Sequence, residues 1–232
     1  MVGNLIGRHN MKKKILIFGM VFLVLTSFSI GDMFSKKTYV YVTSGNNSVA
    51  KSKWIIKTKD EKIIIEKNSD AGITNIVYLP GFKLSSFSYI SSDLKSDYQL
   101  FLSNKKLVAQ GKSKGRSFSK THNLSYPWIQ DFNFGLRNLL TSKSTEQEFT
   151  LLNPSDFSVN EMVATKKNIE KIKIDDTTYN TQKVEVTLQG FKSMFWKAEI
   201  WYDLQSLDLV KYKSNEGPGT PFVVISLEEK KE

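Results

Sequence analysis

The sequence predicts a mainly β protein in which one large, curved antiparallel sheet wraps around a single amphipathic helix. Apolar and polar residues alternate at period two in run after run, the pattern of strands with one buried face. Clusters of Gly, Asn, Asp and Pro separate these runs, closely enough for sequential hairpins rather than helical crossovers. A stretch opening at Tyr126-Pro127 instead places its apolar residues at helical spacing.

The first expected strand is 38–43, followed by a turn over 44–48. Strands over 54–58 and 62–67 flank a turn at 59–61, and Ile63, Ile64 and Ile65 give the second of them a strongly β-forming centre. A turn over 68–72 leads to strands 73–79 and 82–90, broken by Pro80 and Gly81. Strands 97–102 and 107–110 flank a turn at 103–105. The basic, Ser-rich segment 111–123 reads as a long loop or a solvated edge strand guarded by lysine.

The helix is expected to start at Pro127, which suits a first helical turn. Trp128, Phe132, Leu136 and Leu140 recur four apart, with Ile129 and Leu139 beside them. Asp131, Asn133, Arg137 and Asn138 face the other way. Gly135 costs about 1 kcal/mol relative to Ala and predicts a local irregularity. The apolar stripe either plugs the curved sheet or forms a movable lid over an apolar cavity.

Strands then follow over 148–152, 157–165 and 169–174, with a turn over 175–178. The last four strands lie between residues 179 and 227. In the first of these, Val184, Val186 and Leu188 oppose Lys183, Glu185 and Thr187. In the second, Trp196, Ala198, Ile200 and Tyr202 share one face and Lys197, Glu199 and Trp201 the other. The third covers 207–213 and the fourth 222–227. The loop 217–221 between them cannot extend a ladder, because two prolines lack N–H donors and two glycines permit positive φ. The charged tail 228–232 is expected to fray.

Met11-Lys12-Lys13-Lys14 precedes an apolar run over 15–25 and small residues at Ser29 and Gly31, the parts of a secretory signal peptide cleaved before Asp32. Met11 reads as the start, so 1–31 is an upstream extension plus signal peptide and 32–232 a single β domain. The apolar run is short for a membrane span of about 20 residues. Membrane association is therefore expected only by peripheral contact or through an uncleaved signal anchor. The expected location is exported, periplasmic or secreted.

The chain has no cysteine, which excludes disulfides, thiolate nucleophiles, cysteine-ligated metal and an acylated lipoprotein cysteine. Its formal charge of +10 falls to about +6 without residues 1–31, and its basic residues are 30 Lys but only three Arg. Scattered lysine is a solvated face with weak attraction for an anionic surface, not the arginine-rich readout of nucleic acid. Gly111-Lys112-Ser113-Lys114-Gly115 matches the letters of a nucleophile elbow, but no helix pattern follows it. His122 stands alone in a polar segment and reads as a surface residue. Asp175-Asp176 is a turn rather than a carboxylate pair. No catalytic, cofactor-binding or metal-ligating residue is assigned, and a non-enzymatic role is expected.

The order of signal peptide, β meander, Pro-initiated apolar helix, tryptophan-bearing strand 195–202 and glycine-proline loop 217–221 resembles a known class. These are exported bacterial proteins of unknown function similar to the outer-membrane lipoprotein carriers and receptors of the LolA/LolB type. The resemblance implies an unclosed β half-barrel, with helix against its concave side and a cavity for acyl chains. On that basis Trp128, Phe132, Leu136, Trp196 and Trp201 are the candidate cavity or lid residues, with lipid or another apolar molecule as ligand. The alternative is an envelope structural or interaction module with a packed core and a protein partner. A chain of this composition needs no cofactor for either role.

Overall fold

The computed structural model describes residues 35–45, 48–215 and 220–231. The signal region 1–31, residues 217–219 of the glycine-proline loop, part of the expected turn at 44–48 and Glu232 lie outside the described residues. Eight strands come first: β1 Ser35–Gly45, β2 Ser48–Lys59, β3 Lys62–Ser69, β4 Gly72–Leu79, β5 Lys83–Ser91, β6 Asp97–Ser103, β7 Lys106–Ser113 and β8 Arg116–Asn123. Two short helices follow, α1 Phe132–Gly135 and α2 Arg137–Thr141. Six strands complete the chain: β9 Glu146–Leu152, β10 Val159–Ile174, β11 Thr177–Leu188, β12 Lys197–Asp203, β13 Leu209–Asn215 and β14 Phe222–Lys231.

All fourteen strands form one sheet, ordered from β8 down to β1 and then from β14 down to β9. Every neighbouring pair is antiparallel, as hairpin connections require. Chain-reversing turns keep these hairpins tight: Asp60 and Glu61, then Asn104 and Lys105, then Lys114 and Gly115 take positive φ, as two-residue hairpin turns demand. The first and last strands pair along the middle of the sheet, from Thr38↔Lys231 to Ser44↔Val224. The sheet does not close. Its two edges, β8 and β9, are consecutive in the chain, and the segment that spans the gap carries α1 and α2.

The buried face is built by the period-two alternation. Tyr39, Tyr41, Ile56, Ile65, Tyr78, Leu100, Phe149, Val184, Ala198 and Tyr202 all lie in the core with Leu136 and Leu139 of the helical segment. The mainly β class, the unclosed antiparallel sheet and the short helical element are therefore as the sequence predicts.

Three details differ: the helix start, the break at 166–168 and the tail. The helix starts at Phe132, not Pro127, because Trp128 forms a parallel bridge with Thr150 that holds 127–130 extended. The Ile129 N–H donates to the Thr150 carbonyl at 3.0 Å, and the Thr150 N–H donates to the Pro127 carbonyl at 2.9 Å. Residues 159–174 form one long strand whose bulge at Lys166–Ile169 absorbs the break expected there. Of the two readings of the basic segment, the edge strand holds for 116–123. The tail does not fray: Glu229, Lys230 and Lys231 pair with Val40, Tyr39 and Thr38.

Candidate binding cleft at the mouth of the sheet

The helical segment is clamped to the sheet by buried polar groups. Asp131 caps α1 by accepting from the Phe134 N–H at 3.0 Å, and its Oδ2 also accepts from the Tyr78 hydroxyl at 3.2 Å. Burial pushes the Asp131 carboxyl above the usual carboxylate range, while the Phe134 N–H and the Tyr78 hydroxyl hold it down. Asn133 Oδ1 accepts from the Leu209 N–H at 3.1 Å. The Tyr202 hydroxyl donates to the Phe132 carbonyl at 2.6 Å, and the Tyr41 hydroxyl to the Leu209 carbonyl at 3.0 Å. Burial pushes the phenols of Tyr41, Tyr78 and Tyr202 well above their ordinary value, so they stay neutral donors. The polar side of the expected helix, Asp131 and Asn133, thus packs inward, contrary to the sequence expectation. Each group finds a partner on the strands, which removes the cost of burying it.

Arg137 continues this clamp. Its Nη2 lies 2.9 Å from Asp208 Oδ1, which also accepts from the Tyr39 hydroxyl at 3.2 Å. Lys230 Nζ lies 3.0 Å from the other oxygen, Oδ2. The guanidinium sits 4.1 Å from the Phe134 ring centroid and 5.7 Å from that of Phe82. Gly135 is required where the segment doubles back: a Cβ there would come within 2.5 Å of Ile129 Cγ2.

Above the clamp lies an open cleft of ≈ 880 Å³. It occupies one mouth of the sheet, where β1 begins, β14 ends, and the turns β2–β3, β4–β5 and β12–β13 meet. Ile56, Ile63, Val210 and Leu227 give it an apolar floor from the strands, and Phe82 and Phe134 an aromatic side wall. Lys37, Arg137, Lys230, Glu61, Asp203 and Asp208 line it as well, so both charge signs are present. The volume falls within the range of about 300–1,000 Å³ usual for ligand sites.

None of the five candidate residues from the sequence lines this cleft. Trp128 and Leu136 are buried behind the segment, and Phe132 is half-buried there between Phe149 and Tyr212. Trp196 precedes β12, outside the strand, and packs partly against the core. Trp201 lies on the opposite face of the sheet from Ile200 and Tyr202. It sits between the ammonium groups of Lys183 and Lys211 and donates its indole N–H to Glu170. The cleft residues escaped the sequence reading because they come from turns far apart in the chain. Their one local signal was the pairing of apolar strand ends with Pro80-Gly81-Phe82.

The residues weighed for chemistry are structural. Gly111, Ser113 and Gly115 fall on the β7–β8 hairpin, with Gly115 in its turn. Asp175 takes φ 49° in the β10–β11 turn. His122 is half-buried on β8 rather than a free surface residue, and its Nε2 has no hydrogen-bond partner among the described residues. No group of three or more metal-ligating side chains occurs among the described residues. Nor is any described helix long and apolar enough to cross a membrane.

Fold and cleft together define an open antiparallel half-barrel, its gap spanned by a helical plug and one mouth hollow. No family model matches the chain, and no curated protein does. Among solved structures, the beta-barrel-like protein of domain of unknown function DUF1849 from Brucella abortus shares this fold. It matches 84% of this chain and 96% of its own, at 8% identity and a TM-score of 0.51. A DUF1329 family protein from Desulfovibrio piger matches 87% of this chain and 86% of its own, at 9% identity and a TM-score of 0.29. A LolA superfamily protein from Nitrosomonas europaea matches 84% of each chain, at 9% identity and a TM-score of 0.24. The first of the three shows the shared fold.

Proposed function

We propose that this protein is an exported, periplasmic or secreted, non-enzymatic binder of a lipid-like or other apolar ligand, held in the mouth cleft. The observation that carries the reading is the cleft itself: an open hollow over an apolar strand floor, in a sheet whose other core side chains are buried against one another. An apolar chain laid across the half-buried Ile63 and Phe82 and the exposed Leu79 would remove their surface from water, the main driving force for such binding, with the buried Ile56, Val210 and Leu227 beneath them. Arg137 and Lys37 stand at the cleft wall, within reach of an anionic head group. In this reading Trp128, Phe132 and Leu136 act from behind, holding the segment that presents Phe134 and Arg137 to the ligand.

Ile63→Lys tests it. Ile63 is half-buried at the cleft, so a lysine there can reach solvent without unfolding the sheet. Titration of a fluorescent fatty acid should show binding to the parent protein and at least about tenfold weaker binding to the variant. Equal binding by a folded variant would refute the cleft assignment. The second reading, an envelope interaction module that binds a protein partner, is favoured by the filled concave face around Trp128 and Leu136. Absence of any fatty-acid binding by the parent would favour it.

A further inference from the structure

In a meander, alternate turns fall on the same edge of the sheet. The turns β1–β2, β3–β4, β5–β6, β7–β8, β9–β10, β11–β12 and β13–β14 therefore share the rim opposite the cleft. That rim gathers large apolar side chains in water. Phe191 and Met194 are 75% and 76% exposed on a 3₁₀ turn, Gly190–Met194, and Phe195 follows them. Phe222, Val49 and Leu94 are exposed on the other tips. The β13–β14 tip adjoins the β1–β2 tip across the β1–β14 pairing, and the β11–β12 tip lies two strands further on, about 10 Å away at ordinary strand spacing.

One tip of the same rim is basic, while Asp70, Asp93 and Asp156 lie on other turns of it. Lys112, Lys114 and Arg116 are exposed on the β7–β8 tip and make no ion pair among the described residues. That tip is fixed to the Leu94 turn by the Gly115 N–H donating to the Lys95 carbonyl at 2.7 Å. Lys213 Nζ stands 4.3 Å from the Phe222 ring centroid. At the cleft mouth the turns mix both signs, Asp60, Glu61, Asp175, Asp176 and Asp203 with Lys59, Lys62, Lys83, Lys105 and Lys106.

We propose that this rim docks on an anionic phospholipid surface, with Phe191, Met194 and Phe195 entering the interface and Lys112, Lys114 and Arg116 drawing it to the charge. Single exposed apolar residues are ordinary, but a row of them on one rim that also carries a tip of unpaired cations is not. Wedges on separate tips suit a fluid bilayer, which fills the gaps between them, whereas a protein partner needs a contiguous packed centre. Lysine and arginine near such a surface are each attracted to anionic lipid within a Debye length. The inference is independent of the cleft reading, since the two features lie on opposite rims.

The chain has no cysteine, so a single introduced one can carry a polarity-sensitive nitrobenzoxadiazole label. Met194→Cys reports on the docking rim and Asp176→Cys on the cleft rim, both in the full chain. With vesicles of equal parts phosphatidylcholine and phosphatidylglycerol, the Met194→Cys label should brighten and shift to the blue while the Asp176→Cys label stays unchanged. Adding Phe191→Ser and Phe195→Ser should raise the lipid needed for half the change by roughly tenfold or more. Added salt should weaken the response. No change at Met194→Cys, or an equal change at both labels, would overturn the proposal. So would an equal response to pure phosphatidylcholine.

Discussion

Asp208→Ala should lower the unfolding free energy by about 3–5 kcal/mol, the cost of removing one partner from a buried ion pair. Asp208 is 4% exposed and receives Arg137 and the Tyr39 hydroxyl on one oxygen and Lys230 on the other. Without it the Arg137 guanidinium, its side chain 14% exposed, keeps its charge in a site that water barely reaches. The clamp between helical segment and β12–β13 turn would then loosen. Urea denaturation at neutral pH checks this, and a loss below about 0.5 kcal/mol would mean the pair is effectively solvated. Asp208→Asn should cost less, because it keeps an acceptor for Tyr39. Adding Arg137→Ala to Asp208→Ala should cost less than the two separately, because the stranded charge is gone.

Trp128→Ala should cost about 3–5 kcal/mol as well, by a different cause. Trp128 is 4% exposed, bridges to Thr150 of β9 and donates its indole N–H to Gln130 at 3.1 Å. Its removal leaves a cavity behind the plug and frees the extended arm 127–130. The same variant, measured where it is still folded, should bind a fluorescent fatty acid as the parent does, because Trp128 does not line the cleft. Ile63→Lys should behave in the opposite sense, with folding retained and binding lost. A Trp128→Ala protein that stayed stable but lost binding would place the ligand in the interior and not at the mouth.

The strands were legible in the sequence because their signals are local. Alternation such as Val184, Val186 and Leu188 against Lys183, Glu185 and Thr187 needs no knowledge of partners, and turn residues such as Asp60-Glu61 and Asn104-Lys105 mark hairpins by their own chemistry. The helix boundary was not legible. Trp128, Phe132, Leu136 and Leu140 fit a helical stripe, but a bridge to Thr150, over twenty residues away in sequence, holds the first turn extended. Asp131 carried the true start signal as an N-cap, three residues before the Phe134 N–H that it accepts from. The pairing of the charged tail with β1 was equally hidden, since the register Thr38↔Lys231 joins the two ends of the domain. The cleft was hidden for the same reason: Ile63, Phe82, Arg137 and Val210 have no common spacing in the chain.

The most direct test of the mouth cleft as the ligand site is photo-cross-linking with a diazirine fatty acid, read by peptide mass spectrometry. Adducts should fall within 56–63, 79–82 and 203–210, the strand ends and turns that line the cleft, and an excess of unlabelled fatty acid should suppress them. Competable adducts confined to the interior around Trp128 and Leu136, or no competable adduct at all, would contradict it.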